Sequence, residues 1–143
     1  MKLLLMRHGE AASPYLIADQ ERPLTHVGQS QAMAAAGWIL DQRLKPKTIL
    51  VSSAKRTVET IEAVQAVCGF KAEIQIIDEL YLADPETILG AIEERAGRGL
   101  TMVVGHNPGL SSLLYLRCRE HQGMGTAAVC HIRSNKLAGR FDP

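Results

Sequence analysis

The sequence predicts a three-layer α/β/α sandwich around a mostly parallel central sheet. Three observations carry that expectation. Five short apolar runs recur without polar alternation: Leu3 to Met6, Thr48 to Val51, Ile74 to Ile77, Thr101 to Val104, and Ala127 to Ile132. Short runs rich in Leu, Ile and Val read as strands buried on both faces, which is the pattern of parallel sheets covered by helices. Segments of helical period fill the intervals, and capping residues punctuate their ends.

The first helix is expected to start after Thr25, a suitable N-cap, and to run to Leu44 through Met33, Gly37, Leu40 and Leu44. The second carries Val58, Ile61, Val64 and Cys68 on one face and stops at Gly69, the residue type that most easily closes a helix. Asp84-Pro85 and Asn107-Pro108 open the third and fourth, each a capping side chain before a proline at the first helical position. Ile88, Leu89 and Ile92 line the third helix; Leu110, Leu113, Leu114 and Arg117 recur along the fourth. The order is β-α-β-α-β-α-β-α-β, with loops at Gly9 to Arg22 and at His121 to Thr126. An edge strand over residues 136–141 stays open, because the tail stops at Asp142-Pro143.

Composition bounds the rest. With 143 residues and no repeat, linker or low-complexity stretch, residues 1–143 are expected to form one domain. Folding a chain of this size buries about two-thirds of its unfolded surface, on the order of 15,000 Å². That supports a core without disulfides or a structural metal. Sixteen basic against fifteen acidic residues leave a net charge of +1, which argues against a general nucleic-acid binder or an acidic disordered tail. Cys68, Cys118 and Cys130 are odd in number and lack zinc or disulfide spacing, so reduced, packed thiols are expected. Leu3 to Met6 is too short for a signal-peptide core, and no stretch approaches the ~20 apolar residues of a membrane span. The expectation is a soluble, cytoplasmic protein with no membrane partner; its oligomeric state stays open, with a monomer favoured.

Ligands of open α/β sheets bind beyond the carboxyl ends of the strands. Those ends read Arg7-His8-Gly9-Glu10, then Ser52-Ser53-Ala54-Lys55-Arg56, then Asp78-Glu79, then Gly105-His106-Asn107-Pro108. Two His, two Arg and a carboxylate thus converge on one edge. Planar guanidinium groups bind phosphoryl oxygens bidentately, a clamp that Arg7 and Arg56 would supply, with amides at the helix start beside them. A neutral imidazole attacks phosphorus and splits the transfer into two steps. Arg7, adjacent to His8, disfavours protonation of that imidazole. His106, as imidazolium, would stabilise charge on the equatorial oxygens.

These residues resemble the histidine phosphatase superfamily, also called phosphoglycerate-mutase-like, from end to end. Arg7-His8-Gly9, Arg56 and His106 stand at the family's signature positions, and the match is sharpened by Arg22-Pro23-Leu24-Thr25-x-x-Gly28, Ser52 to Thr60, and Gly105 to Pro108. With the short length, the set looks like the phosphohistidine phosphatases of the SixA type. The resemblance implies a phosphoglycerate-mutase-like fold, His8 as the phosphorylated nucleophile, a phosphate pocket of Arg7, Arg56 and His106 around it, and no metal or organic cofactor. Ser53 departs from the Pro of many relatives. Glu79 is the candidate general acid: ester-cleaving members use a carboxylic acid near this point, whereas SixA-type enzymes are thought to manage without one.

The remaining polar residues have plainer readings. Glu10 is expected to shape its loop or pair with a basic neighbour, Arg22 to make a structural or rim contact, Lys55 to be solvated and Asn107 to cap a helix, while His26, His121 and His131 read as ordinary histidines. The chain has no His-Glu-x-x-His, Gly-x-Ser-x-Gly or phosphate-loop motif, and no Cys is spaced from an Arg as in a cysteine phosphatase loop. The expected function is therefore removal of phosphate, through a phosphohistidine intermediate, from phosphohistidine in a signalling or phosphotransfer protein. Two alternatives remain: a phosphatase or mutase for small phosphate esters, and a catalytically idle phospho-binding module.

Overall fold

A computed structural model describes residues 1–143. Its strands are β1 (Lys2–Arg7), β2 (Thr48–Ser52), β3 (Glu73–Ile77), β4 (Thr101–Gly105), β5 (Val129–Arg133) and β6 (Lys136–Phe141). The helices are α1 (His26–Asp41), α2 (Lys55–Cys68), α3 (Pro85–Arg95) and α4 (Gly109–Cys118). The strands form one sheet in the order β3-β2-β4-β1-β5-β6. Strands β3, β2, β4 and β1 run parallel, and β5 and β6 are antiparallel additions at one side.

Alternate strand residues explain the layers. Leu3, Leu5, Leu50 and Val103 pack in a core with Ile88, Ile92, Leu110, Leu113 and Leu114 of α3 and α4. Leu4, Met6, Ile49, Val51, Met102 and Val104 point the other way, toward Ala35, Ala36, Ile39, Ile61 and Val64 of α1 and α2. Central strands therefore need apolar residues at every position, which is why they read as continuous runs. The folded chain exposes 7288 Å², about a third of what the extended chain would. No helix is long and apolar enough to cross a membrane.

Local signals account for most helix ends. The Thr25 side chain accepts from the Gly28 amide and the Asp84 side chain from the Thr87 amide, with Pro85 at the start of α3. Gly69 closes α2 at φ 57°, where a Cβ would be strained. All three cysteines are free, and burial raises their thiol pKa values, to about 11 for Cys68 and about 12 for Cys130.

Four expectations need correction. The α1 face through Met33, Gly37 and Leu40 is not the buried one: Met33 and Leu40 are exposed, and the core takes Ile39 together with Ala32, Ala35 and Ala36, whose small side chains let α1 lie close to its neighbours. The helix ends at Asp41, short of Leu44. Strand β3 is not buried on both faces, because it is an edge strand whose Ile74 and Ile76 face solvent. Helix α4 begins at Gly109, so Pro108 precedes the first helical residue; the Asn107 side chain still accepts from the Ser111 amide at 3.2 Å. The open question at residues 136–141 resolves as strand β6, paired to β5 through Ser134 and Asn135, both at positive φ as tight hairpin turns require.

Candidate active site

The sheet register builds the site. Arg7 at the end of β1 lies opposite Gly105 at the end of β4, so the next residue of each strand, His8 and His106, leaves the sheet beside the other. Their ring centroids are 5.4 Å apart. Helix α2 starts after β2 and turns Arg56 inward, 2% exposed, while neighbouring Lys55 stays in solvent. The Arg7 Nη1 donates to the Met124 carbonyl at 3.2 Å, and Asn107 Nδ2 donates to that same oxygen at 2.6 Å, which ties the loop before β5 to the end of β4.

The motif residues around these groups form the support. The Gly9 amide donates to Thr60 Oγ1 at 3.1 Å, and that hydroxyl donates to the Arg56 carbonyl, so β1 and α2 are locked together. A Cβ on Gly28 would lie 2.1 Å from the Glu10 carbonyl oxygen, and one on Gly9 would lie 2.6 Å from that of Gly28. The first turn of α1 can lie against this loop only because both residues are glycine. Glu10 shapes its loop as expected, its Oε2 accepting from the Thr25 hydroxyl at 2.6 Å.

Hydrogen bonds assign the tautomers. The His8 Nδ1 is 2.7 Å from the Gly9 carbonyl oxygen, which can only accept. Nδ1 therefore carries the proton, and Nε2 presents a bare lone pair. Burial is the largest influence on His8; opposed by the Gly9 hydrogen bond and aided by Arg56, Arg7 and Arg22, it lowers the pKa to about 4. His106 Nδ1 lies 3.3 Å from Arg56 Nη2, a group with no acceptor capacity, so Nδ1 accepts and Nε2–H donates to Ser52 Oγ at 2.8 Å. Burial, then Arg56, lowers His106 to about 3. Both imidazoles are thus neutral at pH 7, and the imidazolium expected at His106 is not its state in the free protein. A bound dianion would act in the opposite sense to Arg56 and favour protonation.

Arg56 is held on its outer edge. Its Nη1 donates to the Asp19 carbonyl at 2.7 Å and its Nη2 to Asp19 Oδ2 at 3.1 Å. Tyr81 donates its hydroxyl to the same carboxylate, and its ring meets His106 edge-on at 5.6 Å. Arg22 Nε lies 3.3 Å from Asp19 Oδ1 without hydrogen-bond alignment. The Nε atoms of Arg7, Arg22 and Arg56 are all buried with no hydrogen-bond partner. Unpaired guanidinium N–H groups are costly to bury, and an anion satisfies them best.

His8, Arg7, Arg56 and His106 therefore come together, with Arg22 at their rim. Glu79 does not join them. It lies exposed in the 3-10 turn Asp78–Leu80 and lines a separate cleft with Thr87, Gly90 and Arg95. His26 and His121 are exposed, and His131 pairs across from Leu4 within β5. Asp19 and Tyr81 belong to the site but were not anticipated. Asp19 opens the short 3-10 turn Asp19–Glu21 and Tyr81 follows the turn Asp78–Leu80, segments too short to carry a periodic signal, and the one sequence hint is an acidic residue three before Arg22. No three His, Cys, Asp or Glu side chains cluster closely enough to hold a metal ion.

A pH prediction follows from the two depressed histidines. The unfolded chain binds protons at both near pH 6.5, whereas the folded chain resists to about 4 and 3. Stability from this source is full above pH 6.5 and is lost as pH falls toward the folded values. Unfolding free energy measured in urea is expected to drop by about 2–4 kcal/mol between pH 7 and pH 5. A flat profile there would contradict the neutral, buried pair.

Comparison with known proteins agrees with this geometry. An uncharacterized protein of Mycobacterium tuberculosis is 36% identical over 110 residues, covering 76% of this chain and 66% of that protein. The phosphohistidine phosphatase SixA of Escherichia coli is 26% identical over 121 residues, covering 82% of this chain and 74% of that protein. A crystal structure of an Agrobacterium tumefaciens SixA, assigned as a phosphohistidine phosphatase, matches with TM-score 0.90 at 28% identity, over 99% of this chain and 98% of that one. The sequence model of the histidine phosphatase superfamily (branch 1) matches residues 3–95. With Arg7-His8-Gly9 and Arg56 inside that span and the fold matched end to end, the chain belongs to the histidine phosphatase superfamily and is similar to its SixA members.

Proposed function

We propose that this chain is a phosphatase that forms a phosphohistidine at His8 and takes its phosphoryl group from phosphohistidine in a signalling or phosphotransfer protein. The observation that carries the proposal is a neutral, buried imidazole with a free Nε2, set among guanidinium groups whose Nε–H donors lack partners. The His8 Nε2 attacks phosphorus, the P–N bond to the substrate imidazole breaks, and that imidazole leaves with the bonding pair and takes a proton from solvent. Arg7 and Arg56 hold the phosphoryl oxygens throughout, and His106 gains its proton only when the dianion is present. Water then attacks the phosphorus on His8, releasing inorganic phosphate and restoring the imidazole.

Two observations support the substrate class. SixA of Escherichia coli, a phosphohistidine phosphatase, is among the relatives. Glu79 lines another cleft, and the Asp19 carboxyl beside Arg56 is held below its usual range by Tyr81 and Arg56, so it is ionised and a poor proton donor. An alkoxide leaves poorly without an acid, whereas an imidazole needs less help.

The test is turnover of phosphohistidine, phosphoramidate and alkyl phosphates by wild type and Glu79→Gln. Wild-type kcat/KM on the P–N substrates is expected to exceed that on alkyl phosphates by at least ~10²-fold, the scale of general acid catalysis. Glu79→Gln should leave phosphohistidine hydrolysis within about tenfold. Fast alkyl phosphate turnover abolished by Glu79→Gln would replace this reading with a small-ester phosphatase. Phosphate binding without turnover of any substrate would make the chain a binding module.

A further inference from the structure

Two leucines on the loops that carry Asp19 and Tyr81 adopt a backbone conformation that leucine disfavours, and both face solvent. Leu16 has φ 66° and Leu82 φ 49°, a region that crowds Cβ against the following carbonyl. Leu16 is fully exposed, Leu82 is 53% exposed, and Tyr15 beside Leu16 is 83% exposed. Scattered surface leucines need no explanation, but outliers grouped at a site point to function. These are grouped. Leu16 stands three residues before Asp19, whose carboxylate grips Arg56, and Leu82 directly follows Tyr81, whose hydroxyl donates to that carboxylate.

The loop bearing Tyr15 and Leu16 is fixed at its base. Ala11 bridges to Leu24, the Ala12 amide donates to the Pro23 carbonyl at 2.8 Å, and the Leu24 amide donates to Glu59 Oε1 at 2.8 Å. An apolar tip is thus projected from a braced stem on the loop whose Asp19 holds Arg56. Glu21 and Asp78, also on these two loops, are exposed and make no ion pair within the chain. Apolar side chains with unpaired acid on the same loops fit a partner surface that mixes apolar and basic side chains.

We propose that Tyr15, Leu16 and Leu82 form a docking rim for the protein that carries the phosphohistidine. That protein presents apolar side chains, with basic ones among them, around its phosphorylated imidazole. The inference rests on the phosphohistidine phosphatase reading and adds how the macromolecular substrate is selected. A small phosphorylated molecule enters the anion site without reaching the rim, so the two kinds of substrate respond differently to its loss.

The experiment uses the variant carrying both Leu16→Asn and Leu82→Asn. Asn tolerates positive φ, so both loops keep their course and the melting temperature is expected to hold. The probes are free phosphoramidate and two short synthetic peptides with a central phosphohistidine, one flanked by Leu, Val and Lys, the other by Gly and Ser. Wild type is expected to favour the apolar, basic peptide at least about tenfold in kcat/KM, mainly through KM, as burial of a leucine allows. The variant should lose that preference while turning over phosphoramidate within about twofold of wild type, since surface changes away from the site are small. No preference in the wild type, a preference that survives in the variant, or an equal loss on phosphoramidate would each overturn the rim. Turnover of none of the three probes by the wild type would instead remove the phosphatase reading, and the rim with it.

Discussion

His8→Ala is expected to abolish turnover while the fold stays intact. The attacking atom is Nε2, bare because Nδ1–H is committed to the Gly9 carbonyl, and no other imidazole at the site offers the same geometry. The Nε2 of His106 donates to Ser52 and its Nδ1 is occupied by Arg56. His106 therefore cannot substitute as nucleophile without breaking both contacts. The wild type should yield a trapped phosphoenzyme that is labile in acid and stable in alkali, as phosphoramidate bonds are, and His8→Ala should yield none. Far-UV circular dichroism and the melting curve of the variant check the fold. Near-normal turnover by His8→Ala would end this mechanism.

Arg56→Ala is expected to cost at least ~2–4 kcal/mol of transition-state stabilisation, about the loss seen when one preorganised donor to a developing charge is removed. The guanidinium lies buried, contacts His106 through Nη2, and keeps Nε–H unpaired. It is rigid because Asp19 takes Nη1 with its carbonyl and Nη2 with its carboxylate. Arg56→Lys should not restore full activity, since an ammonium cannot span Asp19 and a phosphoryl group in one plane. A second readout separates electrostatics from packing. Arg56 is one of the causes, after burial, that lower the His106 pKa, so that value should rise in Arg56→Ala, measurable by NMR titration. An unchanged His106 titration together with unchanged activity would remove Arg56 from the site.

Much of this site was legible in the chain because the chemistry lies in short contiguous motifs at strand ends. Arg7-His8-Gly9 and Gly105-His106 are each one residue from an apolar run, and parallel pairing places such ends along one edge whatever the details of packing. Gly9, Gly28 and Thr25 were visible as parts of a motif, but the reason for the glycines, a backbone-to-backbone approach between loop and helix, needed coordinates. Fold class followed equally from period, since runs with no polar alternation demand cover on both faces.

What the sequence alone determined was the class of fold, the caps at Thr25, Asp84 and Gly69, and the four groups His8, Arg7, Arg56 and His106 at one edge. These depend on local rules: period, capping chemistry and the ends of strands. The tertiary structure decided which face of α1 is buried, that β3 is an edge, that Asp19 and Tyr81 close around Arg56, and that Glu79 turns into a different cleft. It also decided the protonation of the histidines, because burial and neighbouring guanidinium groups, three at His8 and two at His106, lower those pKa values. Burial and charge at a point are sums over residues distant in sequence, and no window along the chain contains them.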